Sequence, residues 1–108
     1  MKEIRAFIQP HKLSVVTMAL VEIPGFPGMT VMDCNGFGRQ SSDYANDYRL
    51  FLPKKRLEIF SPDSLVPIIF ETIMRVGHSG QHGDGKVYII DSNKGGRIST
   101  LEIDVDLG

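Results

Sequence analysis

The chain has no tryptophan and only one cysteine, Cys34, among its 108 residues. A lone thiol cannot close an intrachain disulfide, so a disulfide-stapled secreted scaffold is excluded and a reducing cytosol is the natural setting. No apolar run approaches the roughly 20 residues that a membrane span needs. Behind Met1-Lys2-Glu3-Ile4-Arg5 the sequence turns directly strand-like, with no apolar leader, so the expectation is a cytoplasmic protein without membrane insertion. Excess charge of either sign is also missing. The net charge is −1, which provides no field to draw in nucleic acid or an anionic bilayer. There is no Cys-x-x-Cys, no His-Glu-x-x-His, no Walker spacing and no dinucleotide fingerprint. No nucleophile sits at a recognisable spacing from a base, and no carboxylate pair suggests acid–base work. The expectation is that the chain is not an enzyme.

What is present fits one small globular domain over residues 1–108, with 42% hydrophobic and 23% charged residues, enough for a modest core. Ile4, Ala6 and Ile8 alternate with Arg5, Phe7 and Gln9, which predicts a strand ended by Pro10. Leu13, Val16, Leu20 and Ile23 fall on one helical stripe, stopped by Pro24, Gly25, Pro27 and Gly28. A short strand is expected over 29–34, broken at Gly36-Phe37-Gly38. Residues 39–50 are polar without period and read as an exposed loop. Strand character returns from Leu50 to Phe60. Asp63 or Ser61 is expected to cap a second helix carrying Leu65, Ile68, Ile69, Thr72, Ile73 and Val76, with Pro67 in its first turns. After a glycine-rich loop, Val87 to Ile90 form a strand, and Leu101, Ile103 and Val105 alternate in a terminal strand-like segment over 97–108.

The order βαββαβ is the split βαβ pattern of a ferredoxin-like α+β fold: an antiparallel sheet with two helices on one face, plus the C-terminal segment. The other sheet face then needs cover. With Phe7 and Phe60 on it, an oligomer is expected. Cys34, on a strand, reads as a core residue. His11, His78 and His82 are scattered, which argues against a metal site.

Two glycine-rich stretches, Gly36-Phe37-Gly38-Arg39-Gln40 and Gly83-Asp84-Gly85-Lys86, each stand at a strand end. Glycines let backbone N–H groups approach an anion, and a neighbouring cation can neutralise phosphate. Taken alone, either stretch is equally a plain turn. Several motifs in order, namely Pro10-His11-Lys12-Leu13, Pro27-Gly28-Met29-Thr30-Val31, Gly36 to Gln40, Phe51-Leu52-Pro53-Lys54, Pro62-Asp63 and Gly83 to Val87, closely resemble the PII nitrogen-regulatory family. The resemblance implies a homotrimer that binds ATP or ADP, with or without Mg, in clefts between subunits. It also implies regulation of a partner protein, a transporter or an enzyme, through a long flexible loop. By the same resemblance Gly36, Gly38 and Arg39 form the base of that loop, where phosphates dock. Gln40 corresponds to the residue that helps hold Mg-ATP and 2-oxoglutarate, and Lys54 to the lysine that meets 2-oxoglutarate. Gly83, Asp84, Gly85 and Lys86 correspond to the phosphate loop. Arg97 is the first cation of a C-terminal clamp, and Ile8, Thr30 and Phe60 line the adenine pocket.

The departures are specific. The loop between Gln40 and Pro53 is shorter than in the nitrogen-sensing members, and Tyr44 and Tyr48 lack the surroundings of a modified tyrosine, so no uridylylation is expected. Ser99 stands where the clamp has its second arginine, which should weaken ATP by about 1–3 kcal/mol. The extra residue around Pro24-Gly25-Phe26-Pro27 resembles a PII-like branch found beside heavy-metal efflux transporters. Whether 2-oxoglutarate is sensed stays open, because Gln40 and Lys54 match while the intervening loop does not. Two further readings remain beside the nucleotide sensor: a trimeric interaction module that ignores nucleotide, and a metal-responsive protein linked to metal efflux.

Overall fold

The computed structural model describes residues 1–39 and 48–103, with the backbone alone for 38, 39 and 48–50. The strands are β1 (Lys2–Ile8), β2 (Thr30–Arg39), β3 (Tyr48–Ser61) and β4 (Gly85–Asp91), and the helices are α1 (Leu13–Val21) and α2 (Val66–Gly77). The four strands form one sheet in the order β2-β3-β1-β4, with antiparallel pairing throughout. This is the ferredoxin-like α+β arrangement that the element order predicts.

Alternation in the strands decides the two faces. Ile4, Ala6 and Ile8 of β1 lie opposite Ile59, Leu57 and Lys55 of β3. Together with Leu57, Ile59, Val16, Leu20, Val66, Ile69 and Ile73 they make the buried core under the helices. Leu13, Ile23, Phe26, Met29, Leu65, Val76 and Val87 close its margins. Burying Val16 and Leu20 completely contributes about 1.5–3 kcal/mol for each side chain. Thr72 is buried as well, and its hydroxyl donates to the Ile68 carbonyl at 2.7 Å, so no polar group is left unsatisfied there.

The opposite face carries Glu3, Arg5, Phe7, Arg56, Glu58, Phe60 and Tyr88. Arg5 donates to both carboxylate oxygens of Glu3 at 2.9 Å, and Arg56 pairs with Glu58. Phe7 meets Tyr88 edge-on at 6.5 Å, and the Arg56 guanidinium sits 5.9 Å from the Phe7 ring centre. Arg56 Nε is buried without a hydrogen-bond partner among the described residues. The uncovered face is therefore an aromatic and ionic lattice, more polar than Phe7 and Phe60 alone suggest.

Four sequence expectations need correction. First, β2 does not break at Gly36; it runs on to Arg39, because the 14-residue β3 pairs with it throughout. A bulge absorbs the irregularity, with Leu50 and Phe51 of β3 facing Phe37 of β2. Arg39 and residues 48–50 are thus strand, and what remains of the expected 39–50 loop, 40–47, lies outside the described residues. Second, neither Ser61 nor Asp63 caps α2. A 3-10 turn over Asp63–Leu65 feeds the helix. Ser61 Oγ donates to the Pro62 carbonyl, and Asp63 pairs with the N-terminal amine at 2.9 Å, which lowers its pKa.

Third, the segment after Gly96 is not a continuous strand. It is a small hairpin of β5 (Gly96–Arg97) and β6 (Glu102–Ile103). Its turn is closed by Leu101 N donating to the Arg97 carbonyl at 2.8 Å, with Leu101 at φ 63°. Residues 104–108 lie outside the described residues. Fourth, Cys34 is not core. It pairs with Lys54, which places it on the face away from the helices. There it is half-buried, and its thiol donates to the Lys54 carbonyl at 3.5 Å.

Candidate functional site

One end of the sheet gathers both glycine stretches. Gly36 lies on β2 beside Lys54 of β3: a side-chain carbon added at Gly36 would stand 3.5 Å from Lys54 Cγ. The Lys54 ammonium donates to the Gly83 carbonyl, tying β3 to the loop between α2 and β4. At Gly83 an added Cβ would come within 3.0 Å of Gln9 Nε2 and 3.8 Å of Lys54 Nζ. Gly85 leaves no choice at all. Its φ is +107°, and a Cβ there would lie 1.8 Å from the Phe7 carbonyl oxygen. Only glycine lets β4 start against β1 in this register.

Asp84 organises the loop itself. Its carboxylate accepts from Ser79 N at 2.7 Å, from Gly80 N at 2.9 Å and from Ser79 Oγ, and His78 Nδ1 lies 3.9 Å away. The Ser79 hydroxyl and these backbone donors hold its pKa down to about 2. Asp84 thus faces back into residues 78–80 and shapes the turn, which leaves the Gly83 and Gly85 backbone and the Lys86 side chain to line the opening.

These groups border a cavity of about 360 Å³ lined by Phe7, Cys34, Gly36, Phe37, Leu52, Lys54, His82, Gly83, Gly85 and Lys86. Two ammonium groups and glycine backbone on one side and aromatic rings on the other suit an anion attached to a flat apolar body. Phe37 and Phe51 stand with ring centres 5.8 Å apart, and Phe51 holds φ 55°. That is the left-handed region, costing about 1–2 kcal/mol for a side-chain-bearing residue; the bulge keeps it there. Ile8 lines a smaller cavity of about 130 Å³ behind, between Ile73, Gly77 and Gly85. Gly38 and Arg39 continue β2 opposite Arg49 and Tyr48, while Gln40 and Tyr44 lie outside the described residues.

Two predicted site residues are at the other end of the sheet, and a third stands on the β5-β6 hairpin that follows it. Thr30 pairs with Glu58, and Phe60 with Glu3. From Lys54 to Phe60 along β3 is about 20 Å at the usual strand rise. Arg97 follows the far end of β4 and lies 3.6 Å from Glu102 through Nε. A single chain therefore brings together Gly36, Lys54, Gly83, Gly85 and Lys86, and keeps Thr30, Phe60 and Arg97 apart from them. The residues that sequence reasoning missed are His82, Leu52, Phe37 and Gln9. His82 and Phe37 adjoin the glycines and could have been found by adjacency; Gln9, at the end of β1, carried no signal. No group of three or more His, Cys, Asp and Glu suited to a metal occurs among the described residues. No described helix is long and apolar enough to cross a membrane.

Comparison with known proteins places the chain among relatives of similar length. The family model described as nitrogen regulatory protein P-II matches residues 1–102. Nitrogen regulatory protein P-II 1 of Escherichia coli K12 is 42% identical over 112 residues, covering 96% of each chain. The P-II proteins of Klebsiella oxytoca and Azospirillum brasilense are 41% and 40% identical, covering 96% and 94% of this chain and 96% and 95% of theirs.

Proposed function

The chain belongs to the P-II family of nitrogen regulatory proteins, and from that premise we propose that it is a cytoplasmic signalling subunit, not an enzyme, that binds ATP or ADP between the copies of a homotrimer. One observation carries the proposal. The half-site of Gly36, Lys54, Gly83, Gly85 and Lys86 surrounds a single cavity, while Thr30 and Phe60 occupy the distant end of the same sheet and Arg97 stands on the separate β5-β6 hairpin. A second copy that sets its Thr30 end against the first copy's Lys86 end completes the site.

In that arrangement Lys86 and the Gly83–Gly85 backbone take the phosphates, joined by Arg39 from the base of the 40–47 segment. Arg97 of the neighbouring copy reaches the same phosphates, and Ile8, Thr30 and Phe60 enclose the adenine. Lys54 donates a hydrogen bond to the Gly83 carbonyl, which fixes its ammonium at the rim of the cavity. With Gln40 it is the group for a dicarboxylate such as 2-oxoglutarate beside Mg-ATP. Occupancy acts on a partner protein, a transporter or an enzyme, only if nucleotide binds one state of residues 39–50 better than another.

Calorimetry with ATP, ADP and AMP tests this. ATP or ADP should bind saturably, and Lys86→Ala should abolish the heat. Silence from every nucleotide at millimolar concentration would refute the sensor. A nucleotide-independent trimeric module is the second reading, favoured by Ser99, which puts a neutral side chain in the turn of the Arg97 hairpin.

A further inference from the structure

α1 is apolar on both sides. Between Lys12 and Glu22 the sequence Leu-Ser-Val-Val-Thr-Met-Ala-Leu-Val contains no charged residue. Val16 and Leu20 are fully buried against the sheet. At about 100° per residue, Met18 points the opposite way, with Val15 and Val21 about 60° to either side and the exposed, uncharged Ser14 between Met18 and Val21. The three apolar side chains are 47%, 67% and 61% exposed for Val15, Met18 and Val21. α2 packs on the same face of the sheet but interrupts its outward side with Glu71 and Arg75. Helix propensity does not account for α1 either, since Val15 and Val21 are weaker helix formers than the charged residues such positions usually hold.

The charges at the two ends are equally unusual. His11 and Lys12 stand at the N-terminal end of α1 and Glu22 at its C-terminal end. Both signs reinforce the helix dipole instead of offsetting it. Beyond Val21 the surface continues into a groove of about 600 Å³ formed by Thr17, Ile23, Phe26, Pro27 and Met29.

We infer that the outward face of α1 and this groove are a docking surface for one amphipathic helix of a partner protein, lying antiparallel to α1. The occupant carries an apolar stripe of two to three turns, an acidic residue beside Lys12 and a basic residue beside Glu22. An antiparallel helix sets its negative C-terminal end against the positive end of α1, so both dipoles are matched. The narrowness of the strip argues against a second copy of this chain. Three exposed side chains and one groove beside them form a strip one helix wide, which suits a single short helix better than the roughly 800 Å² per partner of a stable interface between two copies. The surface lies on the helix side of the sheet, away from the uncovered face, so assembly through that face would leave it accessible.

The test uses the full chain, isotope-labelled, and a stapled 16-residue helical peptide with leucines at i, i+3, i+7 and i+10, lysine near its N-terminus and glutamate near its C-terminus. Saturable amide shifts confined to residues 13–29 are expected. Exchanging the peptide's two charges should weaken binding about fivefold, and Met18→Glu should weaken it at least tenfold. Met18→Gln serves in its place if Met18→Glu fails to fold, as judged by circular dichroism. Shifts elsewhere, no saturation, indifference to both charge exchange and mutation, or the same amides shifting with neutral lipid vesicles but not with peptide would each overturn the inference.

Discussion

The two ends of this sheet are built on opposite terms. At the Lys54 end the polar groups and the glycine backbone are held by the chain itself, Lys54 on Gly83, Asp84 on Ser79 and Gly80, and Gly85 against the Phe7 carbonyl, while Phe37 and Phe51 stand open beside them. At the Phe60 end, Phe60 is 46% exposed, and the hairpin beyond β4 shows Ile98 and Leu101 at 93% and 82% exposure. Apolar exposure of this kind is what interaction surfaces share. The contrast teaches that local polar contacts fix the backbone at one end of the sheet, while the other end and its hairpin display side chains that the chain itself does not cover.

Substitutions that break the contacts of the self-organised end should then damage the protomer, and substitutions of side chains that hold no such contact, at either end, should alter binding alone. The largest effect is expected from Gly85→Ala. A Cβ 1.8 Å from the Phe7 oxygen cannot be relieved by rotating a side chain, so the register of β1 with β4 must give way. A loss of more than about 4 kcal/mol is expected in urea unfolding. A variant with unchanged midpoint would show that this end is softer than its contacts suggest. Next comes Lys86→Ala, which removes a phosphate partner without touching the core. Nucleotide affinity should fall by at least 100-fold, or about 2.7 kcal/mol, with stability unmoved. A fall in both would place Lys86 in the scaffold and blur the division between the ends.

Ser99→Arg probes the displayed end. Ser99 is exposed in the hairpin turn, two residues beyond Arg97. An added guanidinium should tighten ATP about tenfold, or about 1.4 kcal/mol, and ADP less, with no change in the unfolding midpoint. Equal affinities for the two chains would mean that the hairpin does not reach the phosphates of a neighbouring copy.

The architecture was legible because periodicity is a long-range signal. Ile4, Ala6 and Ile8, and Val16 and Leu20, report burial faithfully, and Pro10 and Pro67 fall where the chain enters its helices. The two glycine stretches were legible as anion candidates, and the fold does bring them together. Three things were not. Pairing register is invisible locally, so Cys34 read as core when its partner Lys54 puts it on the other face. The bulge at Phe37 let β2 pass through glycines that usually end a strand. The lone alternation of Leu101 and Ile103 could not distinguish a strand from a hairpin closed by Arg97 and Leu101. That Thr30 and Phe60 lie at the opposite end of the sheet from Lys54 and Lys86 was likewise hidden, since sequence order says nothing of which end of a strand faces which loop.

Asp84→Asn gives the smallest effect and asks whether the phosphate loop is held by charge or by shape. The Asp84 carboxylate, pKa about 2 when folded against the ordinary 3.8, is more acidic in the native state, so the unfolded chain binds more protons between these values. Its contribution is fully present above about pH 4 and is lost as pH falls toward 2. Asparagine keeps an acceptor oxygen for Ser79 N or Gly80 N but offers no charge and only one such oxygen. The variant should therefore be modestly less stable than the parent at pH 7, and the gap should close as the pH is lowered from 5 to 2. Its nucleotide affinity should drop only severalfold, because Asp84 turns away from the opening and acts by positioning Gly83, Gly85 and Lys86. Thermal unfolding of both chains across that pH range decides the matter. A gap that persists at pH 2 would mean that the loop depends on the shape of the side chain, and the self-organised end would owe its order to packing around Gly83 and Gly85 instead of to a buttressing carboxylate.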